Sequence, residues 1–252
     1  MTFKIDPDAA GFDATRLTRI DDHLRTRYIE PGKIAGCQVV VSRRGQVAHA
    51  ATFGLADREH DVKVADDTIW RLYSMTKPIT GVALLTLYET GAFALSDPVH
   101  RYIPEFRATK VREVRDDGTK IEVEPQRPMS VRDALMHMTG IGMGPPGARL
   151  DLATLGQRPP SLRLGGGGNL QTLMERLAPV PLRFHPGTRW LYSWSTDVCA
   201  RLVEVLSDRR FDDYLQDTVF GPLGMVDTGF SVPDDKIGRF AALYRRAPDK
   251  SV

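Results

Sequence analysis

Ser74, Met75, Thr76 and Lys77 place a hydroxyl and an amine three positions apart, where an apolar run from Ile69 to Tyr73 passes into a long helical pattern. Residues i and i+3 share one face of a helix, so a neutral Lys77 amine can take the proton from Ser74. A serine hydroxyl is a weak nucleophile until a base removes that proton; activated, it attacks a carbonyl carbon and carries the acyl group covalently. A place at the first turn adds unpaired backbone N–H groups and the positive helix end, both favouring a developing oxyanion. The Ser74 N–H is the expected donor. Four residues alone are a weak signature, since an N-cap serine followed by a solvated lysine reads the same way. Pro78, Ile79 and the apolar face beyond them set the tetrad beside a buried region.

Tyr192 is the second candidate. It lies in Arg189-Trp190-Leu191-Tyr192-Ser193-Trp194-Ser195, between a Pro-Gly turn and a helix start. A phenolate held by a neighbouring ammonium group can carry a proton to a leaving oxygen. The competing reading is an aromatic cluster that packs two helices together. His137 and His185 have no near acidic or cysteine partners at metal-ligand spacing, so no metal and no cofactor is expected. Gly165 to Gly168 is not followed by the lysine and serine of a phosphate loop. Asp197 reads as a first-turn charge on a helix.

The elements that must position these groups follow from periodicity. Leu17, Ile20, Leu24 and Tyr28 mark an amphipathic helix over residues 14–28, stopped by Pro31-Gly32. Ile34 to Ser42 and Gln46 to Phe53 form a hairpin around Arg43-Arg44-Gly45. The helix after Ser74 covers about 76–90 and closes at Gly91. A small hairpin is expected over 111–128 around Asp117-Gly118, and a capping box opens a short helix at Ser130. Residues 141–169 are rich in glycine and proline and read as loop. Helices follow at about 170–178, 196–207 and 211–219, and Arg239 to Tyr244 is strand-like. Such a count leaves about three sheet strands, a poor sheet unless something covers or extends its edge.

At 252 residues the chain can bury a substantial core. Its 34 basic and 32 acidic residues leave a net charge of +2 without a clustered basic stripe, which argues against a nucleic-acid surface. No window approaches the roughly 20 apolar residues of a membrane span. The start has no apolar stretch of signal-peptide length, and Cys37 and Cys199 read as two free thiols, so the expected location is the cytoplasm.

Four blocks carry a resemblance: Leu72-Tyr73-Ser74-Met75-Thr76-Lys77-Pro78-Ile79-Thr80; Leu135-Met136-His137-Met138-Thr139-Gly140-Ile141; His185-Pro186-Gly187-Thr188-Arg189-Trp190-Leu191-Tyr192-Ser193; and Phe220-Gly221-Pro222-Leu223-Gly224-Met225-Val226-Asp227-Thr228. In their order and spacing the chain resembles the serine beta-lactamase superfamily, most closely the bacterial carboxylesterases (family VIII esterases) related to class C beta-lactamases and DD-peptidases. The resemblance implies an α/β (α+β) two-domain fold, an antiparallel sheet flanked by helices with an inserted, mostly helical domain. Residues 1–70 and 231–252 would form the split α/β domain, and residues 71–230 the active-site helix and helical domain, with Ser74 at their junction.

By the same resemblance Ser74 is the acylated serine, Lys77 its partner, and Tyr192 the tyrosine opening a Tyr-x-Asn motif. Position three of that motif is Trp194 here, which weakens a lactam reading and suits an apolar acyl group; Trp194 and Tyr73 are the expected substrate contacts. Relatives are longer, and their last third brings further strands and the second oxyanion N–H. The expectation is therefore a small-ester hydrolase completed by a C-terminal fragment of the same precursor. The alternatives are a beta-lactamase or DD-peptidase, an acyltransferase, and a non-catalytic binding or scaffold member. The homo-oligomeric state is left open.

Overall fold

The computed structural model describes residues 4–142 and 168–245. The loop expected over 141–169, with Gly165 to Gly167, therefore lies almost wholly outside the described residues. The chain divides into two compact units, one formed by Met1–Leu72 with Phe230–Val252 and the other by Tyr73–Gly229.

In the first unit two helices, α1 (Pro7–Ala10) and α2 (Ala14–Leu24), precede three strands, β1 (Gly36–Arg43), β2 (Gln46–Asp57) and β3 (Val62–Lys63). The Asp13 carboxylate caps α2 by accepting from the Arg16 N–H at 3.2 Å. The helix widens into a π-helical turn at Arg25–Ile29. The strands form an antiparallel sheet in the order β1-β2-β3. Arg44 and Gly45 both take positive φ, as a two-residue hairpin turn between right-twisted strands requires. Ala10, Leu17 and Ala48 make one small core with Phe12 and Ile20; Ala56, Val64 and Ala241 make another with Trp70.

The strand expected over Arg239 to Tyr244 does not form. Asp234–Arg239 winds into a 3-10 helix opened by Pro233. Beyond it, Phe240 makes a single parallel bridge to Ile69, and the Ala242 N–H donates to the Ala56 carbonyl at 2.9 Å. Alternating apolar residues become a strand only where a neighbour offers a run of partners. The segment around Ile69 offers one bridge.

The second unit is mostly helical. Its long elements are α3 (Thr76–Glu89), α5 (Leu170–Leu177) and α6 (Ser195–Ser207); α4 (Val131–Leu135) and α7 (Phe211–Leu215) are short. The hairpin of β4 (Val111–Val114) and β5 (Lys120–Val123) stands apart from the first sheet. Val99–Arg101 and Pro104–Ala108 are 3-10 turns. α3 buries Thr80, Ala83, Leu84 and Leu87, the i, i+3, i+4, i+7 stripe of a helix with one face inward. α6 buries Ser195, Val198, Cys199, Leu202 and Val203 by the same rule. These two stripes share one continuous core and pack on each other. Among the described residues no helix is long and apolar enough to cross a membrane. Both cysteines are free.

Leu84 is fully buried in that core, about two turns beyond Lys77. Leu84→Ala should cost about 2–5 kcal/mol of stability through lost burial and a residual cavity. A urea unfolding curve showing a shift smaller than this would mean that the α3–α6 packing is looser than described.

Candidate active site

Ser74 sits in a 3-10 turn, Tyr73–Met75, immediately before α3. Tyr73 reaches that turn with φ of +46°, in the left-handed region that a bulky side chain rarely adopts. The N-cap of α3 is Met75, and no side chain caps the helix. The N-cap alternative for Ser74 is thereby set aside, because its hydroxyl is engaged elsewhere. Lys77 follows in the first turn of α3, and its Nζ lies 3.4 Å from Ser74 Oγ.

Tyr192 comes to the same hydroxyl from 118 positions away, its Oη 2.6 Å from Ser74 Oγ. Two segments, 137–141 and 183–195, zip together to hold it there. The Leu191 N–H donates to the His137 carbonyl (2.8 Å), the Gly187 N–H to Met138 (2.9 Å) and the Arg183 N–H to Gly140 (2.8 Å). Below them the buried hydroxyls of Thr139 and Ser195 share a 2.8 Å hydrogen bond. Gly140 is needed in this zipper: its φ is +82°, and a Cβ there would stand 2.5 Å from the Phe184 carbonyl oxygen.

The electrostatics favour ionisation of the tyrosine. Burial pushes the Tyr192 phenol up, but hydrogen bonds to Lys77 and Ser74 and the Lys77 charge outweigh it and a smaller opposing push from Asp197, so the net shift is downward. The Lys77 ammonium also lies 4.8 Å from the Tyr192 ring centroid. While the phenol is neutral it donates to Ser74; once ionised it becomes the acceptor of the serine proton. A general base acts from hydrogen-bond reach of the proton it takes. Both groups contact the hydroxyl, and Tyr192 Oη at 2.6 Å stands closer to it than Lys77 Nζ at 3.4 Å.

Ser74, Lys77 and Tyr192 are thus brought together, and the two expected substrate contacts separate. Tyr73 is 67% exposed beside the serine. Trp194 is corrected: it is 6% exposed and belongs to the core, because it opens α6 on that helix's inward side. Its indole presents no broad face to solvent. Trp190, four residues earlier, is 65% exposed and is the outward-facing indole. His137 had no place in the expected site, yet its ring stacks on Tyr192 at 5.0 Å between centroids. No spacing rule reveals a stack between residues so far apart. His185 is occupied structurally, bonded to Glu113 at 2.8 Å and accepting from the Gln126 N–H at 3.2 Å. Among the described residues no group of three or more His, Cys, Asp or Glu side chains could hold a metal ion.

The beta-lactamase family profile matches residues 22–252. The chain belongs to the beta-lactamase family. Within this family it is 32% identical over 245 residues to esterase EstB of Burkholderia gladioli, covering 95% of this chain and 58% of that protein. It is 29% identical over 207 residues to lovastatin esterase of Penicillium rubens, covering 80% of this chain and 50% of the relative. Among solved structures it superposes on EstCE1, described as a hydrolase with promiscuous acyltransferase activity, with a TM-score of 0.75 at 26% identity, covering 92% of this chain and 57% of that one. A class C beta-lactamase at 20% identity, TM-score 0.68, shares the fold. It is matched over 92% of this chain and 56% of its own. The mixed α/β architecture is therefore the beta-lactamase fold, and the chain spans between half and three fifths of the length of these relatives.

The Tyr192 phenol should ionise below the ordinary tyrosine value of about 10. Lys77→Met removes the neighbouring charge and should move that ionisation upward, whereas Lys77→Arg should hold it low. The ultraviolet difference between each protein and its Tyr192→Phe counterpart isolates this tyrosine from the chain's seven. An unchanged titration in Lys77→Met would remove Lys77 from the site's electrostatics.

Proposed function

We propose that this beta-lactamase-family protein is a serine carboxylesterase that cleaves small esters through an acyl-enzyme on Ser74. The 2.6 Å contact between Tyr192 Oη and Ser74 Oγ carries the reading. Tyr192, as a phenolate held by charged Lys77, takes the Ser74 proton while Oγ bonds to the ester carbonyl carbon. The carbonyl electron pair moves to oxygen, and the Ser74 N–H supplies one hydrogen bond to that oxyanion. Collapse of the tetrahedral centre breaks the carbon–alkoxide bond, and the Tyr192 proton passes to the departing alkoxide. Water, deprotonated in turn by Tyr192, then bonds to the acyl carbon; collapse breaks the carbon–Oγ bond and releases the acid, and the Tyr192 proton returns to Ser74 Oγ.

Esters are favoured over lactams for two reasons. EstB and lovastatin esterase carry ester hydrolysis in their names. Trp194, buried in the core, brings no side-chain amide to the site to hold a substrate amide. Transfer of the acyl group to an alcohol in place of water is the second reading, favoured by the likeness to EstCE1. The second oxyanion donor is proposed to come from further sequence of the same precursor packing as a C-terminal fragment, because β1 is an edge strand and the matched relatives are longer. One oxyanion donor is worth about 2.7–4 kcal/mol of transition-state stabilisation, so residues 1–252 alone should turn over slowly.

A fluorophosphonate probe should label Ser74, and Ser74→Ala should abolish both labelling and the burst with p-nitrophenyl butyrate. Tyr192→Phe should slow acylation by about 10²–10⁴-fold. Lys77→Arg, which keeps the charge but cannot serve as a neutral base, should retain a measurable rate. The acylation rate should rise with pH as the phenolate forms, with an inflection below that of free tyrosine. Burst acylation that persists in Ser74→Ala rejects the mechanism, and faster turnover of nitrocefin than of the ester rejects the substrate class. Full activity from a single polypeptide of 252 residues, with no companion chain in the intact mass spectrum, rejects the fragment.

A further inference from the structure

His137 is packed with more care than a loop residue at the end of a short helix requires. Its backbone takes φ of +56°, a left-handed conformation for a side chain with a Cβ. Its carbonyl accepts the Leu191 N–H at 2.8 Å, so its backbone is tied to the residue next to Tyr192. Its ring then lies on the phenol of Tyr192, 5.0 Å between centroids and 28° from parallel, while Trp190 meets it edge-on at 6.1 Å. The three rings close a triangle, since Trp190 and Tyr192 are themselves 6.3 Å apart.

The nitrogen does not explain the placement. Among the described residues, His137 Nδ1 is buried and has no hydrogen-bond partner. A buried ring nitrogen in that state is a cost, and what the described residues do engage is the face and edge of the ring. The groups around it fit a neutral ring: Lys77 is the nearby cation, Tyr192 the stacked acid, and Asp197 acts on Tyr192 from α6. Burial and then the Lys77 charge push His137 down from its usual range, so the ring stays uncharged at neutral pH.

We propose that His137 is a positioning residue whose imidazole face, stacked on Tyr192, holds the phenol oxygen on Ser74 without adding charge beside Lys77. Tyr192 can turn about its own side-chain bonds, and a sub-ångström drift of Oη would lengthen the 2.6 Å contact on which proton transfer depends. The stack removes that freedom. The inference rests on the ester-hydrolase reading for its kinetic consequence, but its geometric content is independent of any substrate.

The test uses the protein in its natural assembled form, with His137→Ala, His137→Leu and His137→Phe. Leucine fills similar space without a π face, and phenylalanine keeps the face without the nitrogens. Fluorophosphonate labelling of Ser74 should slow by roughly tenfold in His137→Leu, about the rate equivalent of one aromatic contact. His137→Phe should recover to within about threefold of the unmutated rate. Tyr192, followed by the difference spectrum against matching Tyr192→Phe proteins, should ionise at higher pH in the leucine variant and at the original pH in the phenylalanine variant. Circular dichroism shows which variants fold, and the leucine variant stands in for alanine if alanine melts. Leucine behaving as the unmutated protein in both readouts, or phenylalanine no better than leucine, overturns the proposal. If the unmutated protein is never labelled, the ester-hydrolase reading falls, and the Tyr192 titration alone decides whether the stack positions the phenol.

Discussion

Three side chains from two distant stretches of chain must meet at one hydroxyl, and the packing of α3 on α6 is the constraint that lets them. α3 carries Lys77 in its first turn, with Ser74 in the turn just before it; α6 begins three residues after Tyr192. The buried stripes of both helices belong to one core, so a shift of either would move one side of the site against the other. Interiors packed at crystal-like density transmit such shifts instead of absorbing them. The zipper between 137–141 and 183–195 adds a second tie that fixes the approach of Tyr192 in particular. Strain at Tyr73 and the tight fit at Gly140 are local costs borne by this larger framework.

Much of this framework was legible in the residues themselves. Thr80, Ala83, Leu84 and Leu87 announce one face of a helix, and Gly91 ends it in the left-handed conformation that glycine accepts. The capping box at Ser130 is present, with Asp133 answering the serine. Asp133 also holds Arg127 through a bidentate pair at 2.6 and 2.9 Å. The face shared by Ser74 and Lys77 follows from their spacing alone. The nearness of Tyr192 does not: a contact across 118 positions was readable only through likeness to a known family.

The misreadings share a physical origin. Trp194 and Trp190 are both indoles near a helix start, and sequence pattern cannot say which turns inward; Trp194, at the N-cap of α6, is the buried one. Arg239 to Tyr244 has the alternation of a strand, but pairing is a property of two segments, and the Ile69 segment supplies one bridge. His137 was set aside as a metal ligand on its spacing, and its stack on Tyr192 had no signal in the sequence. Periodicity reports which side of an element is buried. It is silent about contacts between elements that have no repeating pattern.

The distance in sequence between Ser74 and Tyr192 also has a consequence in time. A chain synthesised at about 5–20 residues per second exposes the serine and its lysine roughly 6 to 24 seconds before the tyrosine 118 positions later is made. Throughout that interval Lys77 is already close to the serine in sequence, while the Tyr192 contact is absent. That contact forms only when the late-made segment docks, a non-local pairing of the kind that forms late in folding. The group of three side chains is thus completed by the last-made of its parts to leave the ribosome.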